Sequence, residues 1–127
     1  MDLSPRGIFV PFDDAVEYKQ LMTKEESDII SDMMEEVVLS GTGRKLKNST
    51  YTVAGKTGSA EYNDFTGATH SWFTGFAPVD DPEICVTIIL EDAGTSGLHA
   101  VPMAKKIFDE YFRAKDNSDY NYSLPEE

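Results

Sequence analysis

The run Ile84-Cys85-Val86-Thr87-Ile88-Ile89-Leu90 constrains the fold more than any other part of the chain. Successive side chains of a strand point to opposite faces. This run is apolar at both odd and even positions, so it predicts a central strand covered on both faces. Two strands precede it. Residues 51–57 open on the β-formers Tyr51, Thr52 and Val53. His70 to Ala77 carries Trp72, Phe73 and Phe76. A polar loop from Glu61 to Thr69 joins the first two strands, and Val79-Asp80-Asp81-Pro82 makes a tight turn before the third. Connections this short between successive strands imply an antiparallel meander.

A helix flanks the meander at each end. Thr23 and Glu26 have the spacing of a capping box, and Gly41 ends the helix that follows. Ile29, Ile30, Met33, Met34, Val37 and Val38 recur on one face and are expected to pack into a core. Pro102 suits the first turn of the last helix, whose stripe is Val101, Ala104, Ile107, Phe108, Tyr111 and Phe112. Helices laid on a three-stranded antiparallel sheet give an α+β architecture. Residues 1–22 read as an irregular lead-in holding one very short strand candidate, Ile8-Phe9-Val10. Residues 23–114 form the folded part, and 115–127 a polar, disordered tail.

At 127 residues there is room for one domain. A formal charge of −12 repels phosphates, which argues against nucleic-acid binding and against anionic membrane surfaces. The single cysteine, Cys85, cannot form an intrachain disulfide, and its apolar surroundings predict a buried, inert thiol. No apolar stretch reaches the roughly 18 residues that a membrane span needs, so the chain reads as soluble. The N-terminus lacks the basic and apolar regions of a signal peptide.

The chemistry is concentrated in Val53-Ala54-Gly55-Lys56-Thr57-Gly58-Ser59-Ala60-Glu61. A phosphate-binding loop requires a further glycine where this chain has Thr50, and it must open a helix. Here the Lys-Thr-Gly triplet closes a strand and a hairpin follows. The other reading is the Lys-Thr-Gly signature of serine acyl-transferases that react with penicillin. The surrounding residues extend it: Gly41-Thr42-Gly43 before it, His70-Ser71-Trp72-Phe73-Thr74-Gly75-Phe76-Ala77-Pro78 after it, and Ala100-Val101-Pro102 at the last helix.

From about Thr23 to Phe112 the chain resembles the penicillin-binding proteins, and within them the class B peptidoglycan D,D-transpeptidases. The resemblance implies part of a penicillin-binding transpeptidase or serine β-lactamase-like fold. It also implies an acyl-serine reaction on D-alanyl-D-alanine stem peptides, the same site binding β-lactams. Lys56 would border the cleft, attract the substrate carboxylate and support proton transfer. The Thr57 hydroxyl would bind that carboxylate, and Gly58 would let the substrate backbone approach. Ser59 would give an oxyanion-hole N–H and accept a substrate amide, with the substrate lying along the strand. No metal or organic cofactor is implied.

The family's nucleophile lies in a Ser-x-x-Lys motif and its partner in Ser-x-Asn, and this chain contains neither. Both lie upstream of Lys-Thr-Gly in the family. The chain is therefore expected to be a truncated or split piece, inactive alone, whose partner is the missing N-terminal part of the transpeptidase domain. The parent would be anchored at the bacterial cytoplasmic membrane with this domain on the outer face. In the intact fold the Ile84–Leu90 strand has a second neighbour from the start of the domain. Without it, the open edge is expected either to drive self-association or to be covered by Ile8-Phe9-Val10. Two other readings are a non-catalytic acidic interaction module and part of a β-lactamase or β-lactam sensor domain. His70 and His99 have no clustered cysteines and read as non-ligands. Asp13-Asp14, Glu35-Glu36 and Asp80-Asp81 read as solvated charge.

Overall fold

The structure, a computed structural model, describes residues 19–48, 50–63, 65, 67–93 and 98–117. In chain order it contains α1 (Lys24–Leu39), a one-turn 3-10 helix (Arg44–Leu46), β1 (Ala54–Asn63), β2 (Ala68–Ala77), β3 (Ile84–Leu90) and α2 (Ala100–Asp116). The strands form one antiparallel sheet in the order β1-β2-β3. This is the expected helix, meander and helix.

The start of α1 follows from its sequence. The Thr23 N–H donates to the Glu26 carboxylate at 2.8 Å, and the Glu26 N–H donates to the Thr23 hydroxyl at 3.2 Å, completing the capping box. The helix ends at Leu39 because the chain folds back on Val37, whose carbonyl accepts the N–H groups of Gly41 (3.1 Å) and Gly43 (3.0 Å). A Cβ on Gly41 would lie 2.9 Å from that carbonyl oxygen, so close approach demands glycine there.

The helical stripe does not pack as expected. Val38 is buried, and Met34 and Val37 are half-buried. Ile29 and Met33 are 55% and 65% exposed, and Ile30 is exposed as well. Only one side of the apolar stripe meets the described residues. The side carrying the first isoleucine pair and Met33 is left in solvent.

One core joins the helices to one face of the sheet. Val38, Leu46, Val101, Ala104 and Phe108 meet Phe73, Ala77 and Val86. Phe73 is 1% exposed and stands edge-on to Phe108, with ring centroids 6.4 Å apart. Its ring lies over the cross-strand pair Gly55–Gly75, where a Cβ on either residue would come within 2.6 Å of a ring carbon. The first turn of α2 is held from the sheet, because the Ser71 hydroxyl on β2 accepts the Ala100 N–H at 3.0 Å.

Two expectations about the strands are corrected. β1 begins at Ala54 rather than at residue 51 and runs to Asn63. Pairing of Glu61 with Thr69 and of Asn63 with Ala68 turns most of the expected loop into a hairpin with a bulge. Tyr51 and Val53 lie before the strand and are buried in the core. β3 has β2 as its one neighbour and is covered on one face alone among the described residues. Val86 is buried, whereas Cys85, Thr87 and Ile89 are exposed. Cys85 is therefore an exposed thiol and not a buried one. Apolar residues at both odd and even positions suit cover on both faces, but among the described residues helices are present on one. Ile8-Phe9-Val10 and Gly94 to Gly97 lie outside the described residues.

Asp109 anchors α2 to the segment before β1. Its carboxylate accepts the Tyr51 hydroxyl at 2.5 Å, the Asn48 amide at 3.3 Å and the Lys105 ammonium at 2.7 Å. Tyr51 also stacks on Phe112 at 4.5 Å. The bond from Lys105, then that from Tyr51, holds the Asp109 carboxyl below its usual range. Burial, then the Asp109 bond and charge, pushes the Tyr51 hydroxyl above its own. A carboxyl whose pKa falls on folding adds stability above its unfolded value of about 4, and that stability is lost as pH drops through the lower folded value. Asp109→Asn should therefore flatten the acid limb of stability against pH. Urea melts between about pH 2 and 5 check this, and identical slopes for both proteins would reject it.

Candidate functional site

Lys56, Thr57, Gly58 and Ser59 occupy consecutive positions on β1, which is an edge strand of the sheet. They lie opposite Thr74, Phe73, Trp72 and Ser71 of β2. The alternation of a strand sends Lys56 and Thr57 to opposite faces. Because β1 is at the edge, residues of both faces border the same rim.

Lys56 is on the face that no helix covers among the described residues, together with Trp72, Thr74, Cys85, Thr87 and Ile89. Its ammonium donates to the Thr57 carbonyl at 2.7 Å. Among the described residues no carboxylate lies within 4.0 Å of it. On a chain of net −12, an ammonium with no carboxylate near it among the described residues is an attractive point for an external anion.

Thr57 is on the helix-facing side and is 8% exposed. Its hydroxyl lies 2.7 Å from the Thr42 hydroxyl, which reaches it from the Gly41-Thr42-Gly43 loop. Gly58 differs from the glycines beneath Phe73. A Cβ there would meet one atom within range, the Trp72 Cβ, at an ordinary 3.5 Å. The fold itself leaves room for a side chain at position 58. Ser59 is exposed at the same rim.

All four residues expected from the sequence are thus gathered on one strand edge. Thr42 was legible only as part of a motif, since a contact across 15 residues has no local signal. His70 accepts the Asp92 N–H at its Nδ1 across 3.1 Å.

A family model described as the penicillin binding protein transpeptidase domain matches residues 8–109. The peptidoglycan D,D-transpeptidase MrdA of Haemophilus influenzae is 32% identical, an alignment that covers 94% of this chain and 21% of that protein. Among solved structures, Pseudomonas aeruginosa PBP2 in complex with WCK 5153 superposes with a TM-score of 0.66 at 33% identity, covering 80% of this chain and 23% of that one. The D,D-transpeptidase domain of a peptidoglycan glycosyltransferase from Eggerthella lenta gives a TM-score of 0.60 at 32% identity, over 74% of this chain and 22% of that one. The chain spans about a fifth of the length of these relatives. No helix among the described residues is long and apolar enough to cross a membrane. With its meander, its two helices and its Lys-Thr-Gly edge, the chain belongs to the penicillin-binding protein transpeptidase family, among the class B D,D-transpeptidases.

Proposed function

We propose that this chain supplies the Lys-Thr-Gly wall of a transpeptidase cleft and receives the nucleophile from polypeptide outside these 127 residues. The observation that carries this reading is that, on an edge strand of the described sheet, an ammonium with no described carboxylate within 4.0 Å neighbours a buried threonine. Lys56 and Thr57 take the terminal carboxylate of a D-alanyl-D-alanine stem peptide, or the equivalent carboxylate of a β-lactam. The substrate lies along β1 as an added strand. Gly58 leaves the space for it, which accounts for a glycine that the fold does not require. The Ser59 N–H donates to the oxyanion of the tetrahedral intermediate.

A serine hydroxyl from the upstream part attacks the penultimate D-alanine carbonyl. It gives up its proton through the lysine of Ser-x-x-Lys, and the terminal D-alanine leaves as the amine. The resulting ester is then attacked by an amine of a second stem peptide, which restores the serine. Lys56 steadies the carboxylate and the partner serine. The upstream part docks on the sheet face bearing Trp72 and Ile89 and on the exposed side of α1 at Ile29 and Met33, apolar surfaces left in solvent here. In the parent this domain works on the outer face of the bacterial cytoplasmic membrane, where stem peptides are found.

Intact-mass measurement after incubation with a penicillin tests the reading. The chain alone should gain no mass. Mixed with a polypeptide carrying the upstream Ser-x-x-Lys and Ser-x-Asn segment, the sample should gain one penicilloyl group, located on that segment. A stoichiometric adduct on a serine of this chain alone would sink the proposal.

A further inference from the structure

We infer that Thr42 is a positioning residue for carboxylate recognition, fixing and polarising the Thr57 hydroxyl; this rests on the carboxylate reading of Lys56 and Thr57 above. The two hydroxyl oxygens are 2.7 Å apart, in a part-buried setting. A hydroxyl can donate one hydrogen bond. If the Thr57 proton points at an incoming carboxylate, the bond between the threonines must run from Thr42 to Thr57. The order is then Thr42 O–H to Thr57 Oγ1, and Thr57 O–H to the carboxylate. In such a chain the first bond strengthens the second, and burial raises the effect. The first bond also removes the freedom of the Thr57 rotamer, so less order has to be imposed when the ligand arrives.

The local backbone is built to hold Thr42 at this place. The N–H groups on both sides of it, from Gly41 and Gly43, converge on one acceptor, the Val37 carbonyl, at 3.1 and 3.0 Å. A Cβ at position 43 would come within 3.2 Å of that oxygen and 3.3 Å of a Val38 methyl, and the Cβ at position 41 is excluded more strongly. The two glycines therefore let the end of α1 curl tightly on itself. What the curl carries outward is the side chain between them. Packing alone gives no reason for a hydroxyl at this point, since valine has the same shape.

The test uses the full 127-residue chain and two probes: N-acetyl-D-alanyl-D-alanine, and the same dipeptide with its carboxylate replaced by a carboxamide. Titrations are followed at the Thr57, Gly58 and Ser59 amides by heteronuclear NMR. The wild-type chain should prefer the carboxylate. Thr42→Val should weaken carboxylate binding about three- to tenfold, the range for one lost hydrogen bond, and leave the carboxamide unaffected. Thr42→Ser should restore it. In a Thr57→Val background, Thr42→Val should have no further effect. Melting temperatures of all variants identify any that fail to fold, and Thr42→Ser keeps the comparison valid if valine is not tolerated. A folded Thr42→Val chain that keeps the wild-type preference overturns the inference alone. So does a loss that persists in the Thr57→Val background, because the effect would then bypass Thr57. A wild-type chain with no preference for the carboxylate overturns the functional reading and this inference together.

Discussion

Phe73→Ala is expected to destabilise the chain by about 3–5 kcal/mol, the range for emptying a buried aromatic site. That is a large part of the 5–15 kcal/mol that a whole domain typically has. Phe73 is nearly fully buried and meets Phe108 edge-on, and its ring fills the groove over Gly55 and Gly75. Those glycines cannot collapse into the space, because they have no side chains to move. The cavity should therefore persist, which puts the cost toward the upper end. The companion change Gly75→Ala fails for the opposite reason. Its Cβ would lie 2.6 Å from both the Ala54 carbonyl oxygen and a Phe73 ring carbon, and overpacking of this kind costs about 1–3 kcal/mol. Urea titrations of both variants measure the two costs. A loss under about 1 kcal/mol for Phe73→Ala would mean that the ring is not the centre of this core.

The elements were legible where the signal is local. The capping box, the apolar run of β3 and the period of α2 each need a few neighbouring residues, and each led to the observed element. What failed was the question of which apolar surfaces are covered. Ile29 and Met33 have the spacing of core residues, and Cys85 sits in an apolar run, yet all three are exposed. Periodicity records which side chains are suited to avoiding water, and it does not say which element supplies the cover. The start of β1 was misplaced because Tyr51 and Val53 are β-formers used as core and anchor residues instead. The partner of Tyr51 on α2, Asp109, is more than fifty residues away, so no local pattern marks it. The candidate site followed from one triplet and its flanks. The Thr42–Thr57 contact and the difference between Gly58 and the two glycines under Phe73 needed coordinates.

In a complemented domain, Lys56→Ala is expected to lower the rate of penicillin acylation about 10²- to 10³-fold, with the serine adduct still forming at long times. The magnitude is that of removing one pre-placed electrostatic or proton-transfer partner from an acyl-transfer site. Among the described residues Lys56 joins no salt bridge and its ammonium donates to a backbone carbonyl, so its loss should leave folding intact. The defect should then be one of reaction and not of assembly. Lys56→Arg separates two parts of the role. It retains the charge but replaces a compact ammonium with a broad planar group, so it should keep carboxylate attraction better than it keeps the rate. Stopped reactions followed by intact mass give the rates, and co-purification of the two polypeptides reports assembly independently. An alanine variant that assembles and acylates at the wild-type rate would remove Lys56 from the reaction and reduce β1 to a structural edge. A variant that fails to assemble would instead place Lys56 at the contact with the upstream part, and the ammonium would then serve docking and not the substrate.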